Sequence, residues 1–191
     1  KKYPMTEEDI LKGEPTLTNY CYGYSKRNLY VQSKWYSNEY GVCYNTFTPS
    51  NIYGPENHFD LNKAHFISSM IKKFDQAGKG DVLTFWGSGN PLRQHLYVDD
   101  LARVIPQILI KHKTNIPLII APDENLSIKQ IIDIYQTLEG KNLDILFNNN
   151  LDGQYRKDAS NKKFLQMFEG FEFTSMKDGL KMTRKWYKER A

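Results

Sequence analysis

The stretch YGYSKRNLYVQSKWYSNEYGVCYNTFTPSNIYGPE, residues 22–56, decides how the chain is read. From Tyr22 to Tyr40 the apolar residues recur with helical spacing. Val31 and Trp35 lie four apart on one stripe, while Leu29, Tyr36 and Tyr40 recur at seven and four on another. Gly41 stands where a helix C-cap belongs. The run VCYNTFTPS alternates, is rich in β formers and is closed by Pro49; NIYGPE then reads as a polar turn. Helix, glycine, strand and turn form the cadence of an α/β sheet whose strand ends carry a site. Tyr22 and Lys26, at the head of the helix, sit four apart, so a phenol and an ammonium share one face. A tyrosine can hand a proton to a carbonyl under reduction. Free phenols ionise only near pH ~10, and a neighbouring cation stabilises the phenolate. In a chain with 13 tyrosines such a pair also arises by chance, so its weight depends on the remaining sequence.

Downstream, a helix is expected from Lys63 to Gln76, stopped by Gly78 and Gly80. VLTFWG reads as a strand running into a Gly-Ser-Gly-Asn-Pro turn, and QHLYV as a strand leading to Asp99, the expected N-cap of a helix through Ile110. PLIIA is a buried strand. Asn125 or Ser127 starts the helix SIKQIIDIYQTL, Gly140 ends it, and LDILF follows as a strand. A loop is expected over 148–150, and short helices over 161–168 and 175–190.

Composition sets the limits. With 191 residues, 40% hydrophobic and 25% charged, the chain suits one substantial globular domain or one and a half small ones. The longest apolar run, around Val104 to Ile110, is interrupted by Pro106 and Gln107 and is too short for a bilayer. Net charge is +4 with the basic residues dispersed, which argues against nucleic acid and suits a phosphorylated small molecule. Cys21 and Cys43 give no disulfide framework, and with the scattered histidines they match no zinc pattern. The opening Lys1-Lys2-Tyr3-Pro4 does not read as a signal peptide, so a cytoplasmic location is expected.

Four segments converge on one family. With YGYSK at 22–26, TPSNIYGPENHF at 48–59, FWGSGNPLRQHLYVDDLA at 85–102 and DGQYRKDAS at 152–160, the chain resembles the GDP-L-fucose synthases. These are extended short-chain dehydrogenases/reductases of the epimerase type. The resemblance implies an α/β fold: the C-terminal portion of an NAD(P)-binding Rossmann domain plus a smaller α/β substrate-binding domain. Residues 1–54 would end the dinucleotide-binding domain and 55–191 would form mainly the GDP-sugar domain, with 94–121 returning to the Rossmann sheet. The implied reaction is NADPH-dependent reduction of GDP-4-keto-6-deoxy-D-mannose, after epimerisation at C3 and C5, to GDP-L-fucose.

The same resemblance implies roles. Tyr22 would protonate the C4 oxygen, and Lys26 would support it and bind the nicotinamide ribose. Pro49, Ser50, Asn51 and Ile52 would border the nicotinamide, with Asn51 also offering its amide to the sugar. His65 would be the acid of the epimerisation and would also touch the cofactor; imidazole titrates near neutrality, which suits that work. Arg93 would hold the diphosphate through its guanidinium fork. Trp86, Asp152 and Lys157 would complete the nucleotide-sugar site, with Lys73 where relatives carry arginine. Tyr20, Tyr24 and Cys21 read as packing residues, and His58, His95 and His112 have no assigned role. The apolar residues around the helix of Tyr22 imply a homodimer interface.

No glycine-rich phosphate loop of the G-x-x-G-x-x-G type occurs in the sequence. The chain therefore reads as the C-terminal piece of a longer protein, with that loop and the family's catalytic serine and cysteine expected upstream. Alone, such a piece is expected neither to bind NADPH well nor to turn over substrate. Two other readings stay open here: another nucleotide-sugar epimerase, reductase or dehydratase of the superfamily, and a non-catalytic binding module with the same fold.

Overall fold

The computed structural model describes residues 2–149 and 152–190; Asn150, in the loop expected over 148–150, lies outside them. Helix α1 spans Tyr20–Tyr40 and is closed by Gly41, whose left-handed φ of 64° lets its N–H reach the Ser37 carbonyl at 3.0 Å. Two apolar stripes on different sides leave α1 without a single core-facing side, and none of its residues is buried.

Strand β1 keeps only Phe47–Pro49 of the expected alternating run. The expected turn at Asn51 is instead strand β2, Asn51–Tyr53, and the bend falls at Gly54. A Cβ at Gly54 would stand 2.5 Å from Val98 Cγ1, so glycine lets β2 close on the next layer. Helix α2 covers Phe66–Gln76 and starts later than the expected Lys63, because Lys63 and Ala64 close a turn on the Asp60 carbonyl. Strands β3 (Val82–Phe85) and β4 (Leu92–Tyr97) precede helix α3, Val98–Lys111. Tyr97, not Asp99, is the N-cap of α3; Asp99 lies in the first turn, where a carboxylate suits the helix dipole.

Strands β5 (Leu118–Ile120) and β6 (Asn125–Ser127) lead to helix α4, Ile128–Glu139. Of the two expected starts, Ser127 caps α4: its Oγ accepts the Gln130 N–H at 3.1 Å while Gln130 Oε1 accepts the Ser127 N–H at 2.8 Å. Strand β7 (Asp144–Phe147) and helices α5 (Lys162–Met167) and α6 (Met176–Lys188) complete the described elements.

The strands form three small sheets. β1 pairs with β5 and β3 with β7, both parallel; β4 is flanked by β2 (parallel) and β6 (antiparallel). Two apolar clusters result. One joins α2, α4 and α6 to β3 around Ile71, Phe74, Ile131 and Leu180; the other joins α3 and α5 to β5 around Val104, Ile120 and Phe164. Each such side chain, fully removed from water, contributes roughly 1.5–3 kcal/mol. Strand β4 belongs to both clusters, because alternation sends Leu96 to the second and Tyr97 to the first. Among the described residues no helix is long and apolar enough to cross a membrane, and no His/Cys/Asp/Glu group could hold a metal.

Candidate functional site

The β2–β4 pairing builds the candidate site. Asn51 stands opposite His95, and Tyr53 opposite Tyr97, so the side chains of these pairs share one face of the sheet. Arg93, two residues before His95, falls on that face as well. Over it lies a cavity of about 210 Å³, walled by Asn51, Arg93 and His95 below and by His65, Phe66 and Ile128 from the first turns of α2 and α4. Asn51 Nδ2 donates to the Gln94 carbonyl at 3.0 Å, which fixes its amide at the rim. Gln94 points the other way and is buried; its Nε2 donates to the Pro122 carbonyl at 2.9 Å, and its Oε1 accepts the Ala159 N–H at 2.8 Å. These bonds anchor the strand that carries Arg93 and His95.

His65 occupies the N-cap of α2, and its side chain is not used for capping. The imidazole therefore lines the cavity rather than serving the helix. Arg93 is half-buried. Its Nη1 donates to the Leu92 carbonyl at 2.7 Å and to the Tyr155 carbonyl at 3.4 Å, while Nε and Nη2 make no hydrogen bond among the described residues. Burial lowers its pKa somewhat and the Asp152 carboxylate opposes that shift, so the guanidinium stays charged. The arrangement sets one fixed cation and one imidazole on opposite sides of a sugar-sized space.

Tyr22 and Lys26 do not line this cavity. They stand together on the first turns of α1, Tyr22 66% exposed and the Lys26 ammonium 5.4 Å from the centre of its ring. Of the Pro49–Ile52 segment, Asn51 and Ile52 reach the cavity. Ser50 Oγ is buried without a hydrogen-bond partner among the described residues.

The remaining expected residues are dispersed. Lys73 Nζ donates to the Thr84 carbonyl at 2.7 Å and lies 4.9 Å from the Phe85 ring centre, so it braces α2 against β3. Trp86 is 72% exposed, against a core role, and Lys157 is exposed. Asp152 accepts from Ser88 N at 2.8 Å and Oγ at 2.5 Å, bonds that hold its carboxyl below the usual range. That carboxylate leaves no room at Gly87, where a Cβ would meet Oδ1 at 2.3 Å in a φ of 79°. Cys21, expected to pack, is exposed. Tyr20 and Tyr24 form an edge-to-face pair at 4.8 Å but remain partly in solvent.

His95, Tyr53 and Asn57 also line the cavity, and sequence reasoning assigned none of them to a site. The Tyr53 hydroxyl is buried without a partner among the described residues, and burial raises its pKa strongly. It fits because position 179 is glycine: a Cβ there would meet the oxygen at 2.0 Å. His112 is buried and bonded through Nε2 to the Ile116 carbonyl at 2.7 Å, which gives it a structural place.

Parallel strands linked by helices, an exposed Tyr-x-x-x-Lys pair and a polar cavity over a strand pair accord with the extended short-chain dehydrogenase/reductase class, to whose solved structures the fold is similar. The chain belongs to the NAD dependent epimerase/dehydratase family, which matches residues 1–120. It is 33% identical to a probable GDP-L-fucose synthase of Drosophila melanogaster, over 98% of this chain and 62% of the relative. It is 34% identical to a GDP-L-fucose synthase of Dictyostelium discoideum, over 97% of this chain and 59% of the relative. Among solved structures, a GDP-L-fucose synthetase from Naegleria fowleri bound to NADP superposes with a TM-score of 0.92 at 29% identity, covering 99% of this chain and 62% of that one. The chain thus spans about three-fifths of the length of these relatives.

Proposed function

We propose that the protein to which this chain belongs converts GDP-4-keto-6-deoxy-D-mannose to GDP-L-fucose, by 3,5-epimerisation and NADPH-dependent 4-reduction. The observation that carries this reading is the cavity where Asn51, His65 and Arg93 converge, in a chain whose relatives bear that name. In it the sugar sits over the β2–β4 pair and the diphosphate meets the free edge of the Arg93 fork. Asp152, which acts on Arg93 electrostatically, belongs to the nucleotide end of the site, and Trp86 and Lys157 are assigned to it with Asp152. Lys73 keeps a place at the nucleotide end of the site, since the hydrogen bond to the Thr84 carbonyl uses one of its three N–H donors.

The residues present suit NADP(H). Ser50 Oγ is an unpaired buried hydroxyl in the segment assigned to the nicotinamide, and Tyr22 and Lys26 are exposed side by side. When bound, the reduced cofactor supplies the hydride for C4. Tyr22 gives its phenolic proton to the C4 oxygen, which turns the ketone into an alcohol, and Lys26 stabilises the phenolate that remains. In the epimerisation a base, the cysteine expected upstream of this chain, takes the proton of a C–H bond beside the ketone and the electron pair moves toward the carbonyl oxygen. As the pair returns, His65 gives a proton to the opposite face of the carbon, and the base passes its own to solvent while His65 is reprotonated. No atom is gained or lost in that step.

The domain division belongs to the same proposal: residues 1–54 with 94–121 complete the cofactor domain, and the rest forms mainly the substrate domain. The apolar cluster of α3 and β5, separate from that of α2, α4 and α6, supports the return of 94–121, whereas α5 packs in that same cluster and so departs from the division. The exposed aromatic side chains of α1 support a homodimer built on that helix. The deciding experiment uses the natural full-length protein with NADPH and GDP-4-keto-6-deoxy-D-mannose. The wild type should form GDP-L-fucose, and Tyr22→Phe should lose about 10²-fold or more in reduction while still binding GDP. A wild type inert toward this substrate, or a Tyr22→Phe of near-normal rate, would refute the assignment.

A further inference from the structure

His95 forms part of the cavity floor, yet nothing among the described residues uses its nitrogens. Its ring is boxed by aromatic groups: Tyr53 packs edge-on at 6.1 Å and Phe66 at 6.4 Å. Nδ1 is buried without a hydrogen-bond partner, and no bond to Nε2 is made among the described residues. For packing alone this is a poor choice. An unpaired polar atom in such a box is destabilising, while a phenyl ring would fill the same space without that cost. Nδ1 is closed off from solvent, so the nitrogen left for an occupant of the cavity is Nε2.

Burial, reinforced by the Arg93 charge, draws the His95 pKa down to about 4, so near neutrality the ring carries one N–H donor and one bare nitrogen acceptor. It cannot serve as a general acid there, which separates it from His65 and from the diphosphate-facing Arg93. A neutral imidazole presenting Nε2 in an aromatic-walled recess matches a sugar ring, whose hydroxyls give or accept a hydrogen bond as the tautomer requires while its C–H surface packs on rings. The neighbours fit the same ligand. Asn51 is opposite on β2 and Arg93 lies two residues back on β4, both lining the cavity.

We propose that His95 is a substrate-specificity residue, whose imidazole hydrogen-bonds a hydroxyl of the sugar seated between Asn51, His65 and Arg93. The proposal rests on the functional reading above and adds a residue to it. A site that bonds a hydroxyl rejects analogues lacking it, because its own polar group is then left unpaired. His95 thereby discriminates among nucleotide sugars that carry the same GDP.

The test compares the natural full-length wild type with His95→Phe, which keeps an aromatic filler, and His95→Gln, which keeps an amide donor and acceptor. Affinities for GDP and for GDP-L-fucose are measured beside kcat, KM and the thermal midpoint. In His95→Phe the sugar's contribution to affinity should fall about 10–100-fold and KM should rise. GDP affinity should stay at the wild-type value and the thermal midpoint should hold or rise. His95→Gln should recover part of the loss. Should His95→Phe not fold, His95→Leu carries the same expectation. A folded His95→Phe or His95→Leu with wild-type KM and wild-type preference for GDP-L-fucose over GDP overturns the proposal and makes His95 a packing residue. A wild type that binds GDP-L-fucose no better than GDP is a different result: it refutes the functional reading first, and His95's role with it.

Discussion

Glu139, the last residue of α4, offers a measurable test of how the cavity wall is held. Its carboxylate is 2% exposed and takes both Nε and Nη2 of Arg184, the Lys188 ammonium at 3.0 Å and the Tyr135 hydroxyl at 3.0 Å. Burial alone would raise its pKa, but the hydrogen bonds from Arg184, Lys188 and Tyr135 outweigh it and hold the group at about 2. Against a free glutamate near ~4.3, that gap corresponds to roughly 3 kcal/mol. Arg184 and Lys188 are 29% and 41% exposed, so solvent screening trims it to about 2 kcal/mol. The sign follows from the depressed folded pKa: the contribution is complete above about pH 4.5 and is lost as pH falls toward about 2. Glu139→Gln keeps the shape and removes the charge. It should cost about 2 kcal/mol at pH 7 and roughly two-thirds of that at pH 3.5. Urea midpoints followed by tryptophan fluorescence report the difference. Trp186, on α6 and stacked on Phe59 at 5.8 Å, lies within the clamped region. A neutral-pH cost below about 0.5 kcal/mol, or one that grows as pH falls, would refute the reasoning.

Two further expectations concern the chemistry and the assembly. In the natural full-length protein His65→Gln should slow deuterium wash-in at C3 and C5 of the keto sugar far more than it weakens GDP binding. Arg93→Ala should do the reverse, losing about 1.5–3 kcal/mol of nucleotide affinity while proton exchange persists at saturation. Wild-type exchange in His65→Gln would leave that residue lining the cavity with no part in the proton transfer. The same protein should sediment as a dimer at micromolar concentration, and replacing the exposed Trp35 and Tyr36 of α1 with charged residues should shift it toward monomer; a wild type that is already monomeric contradicts the proposed interface.

Much of the architecture could be read from local signals. Gly41 and Gly140 both adopt the left-handed conformation at helix ends, and Ser127 with Gln130 makes the capping box that opens α4. The errors fall where pairing with a distant segment overrides local preference. Asn51–Tyr53 is flanked by turn formers and becomes a strand only because β4 lies beside it. Asp99 looked like a cap, but Tyr97 leaves the strand one residue before α3 begins. The site divides in the same way. His65 and Arg93 were reached through motif resemblance, and the structure brings them to one cavity with Asn51. His95 was passed over because no motif gives it a role; only its register against Asn51 and the aromatic rings beside it give it a place.

Strand β4 explains why these groups can be held so near one another. Its odd-numbered residues Arg93, His95 and Tyr97 face the cavity and the first apolar cluster, while Leu96 enters the second cluster and Gln94 bonds to the Pro122 and Ala159 carbonyls on the other side. Two clusters and a buried amide therefore fix one backbone segment, and the polar side chains on its free face inherit that rigidity. Groups positioned this way lose little entropy when a ligand arrives, so their unsatisfied atoms convert more fully into affinity and discrimination. It follows that Gln94→Leu, although outside the cavity, releases the segment at Ala159 and should blur the sugar preference that His95 confers before it weakens the hold of Arg93 on GDP. A guanidinium on a long side chain can follow a shifted phosphate, whereas an imidazole wedged between Tyr53 and Phe66 cannot follow a shifted hydroxyl.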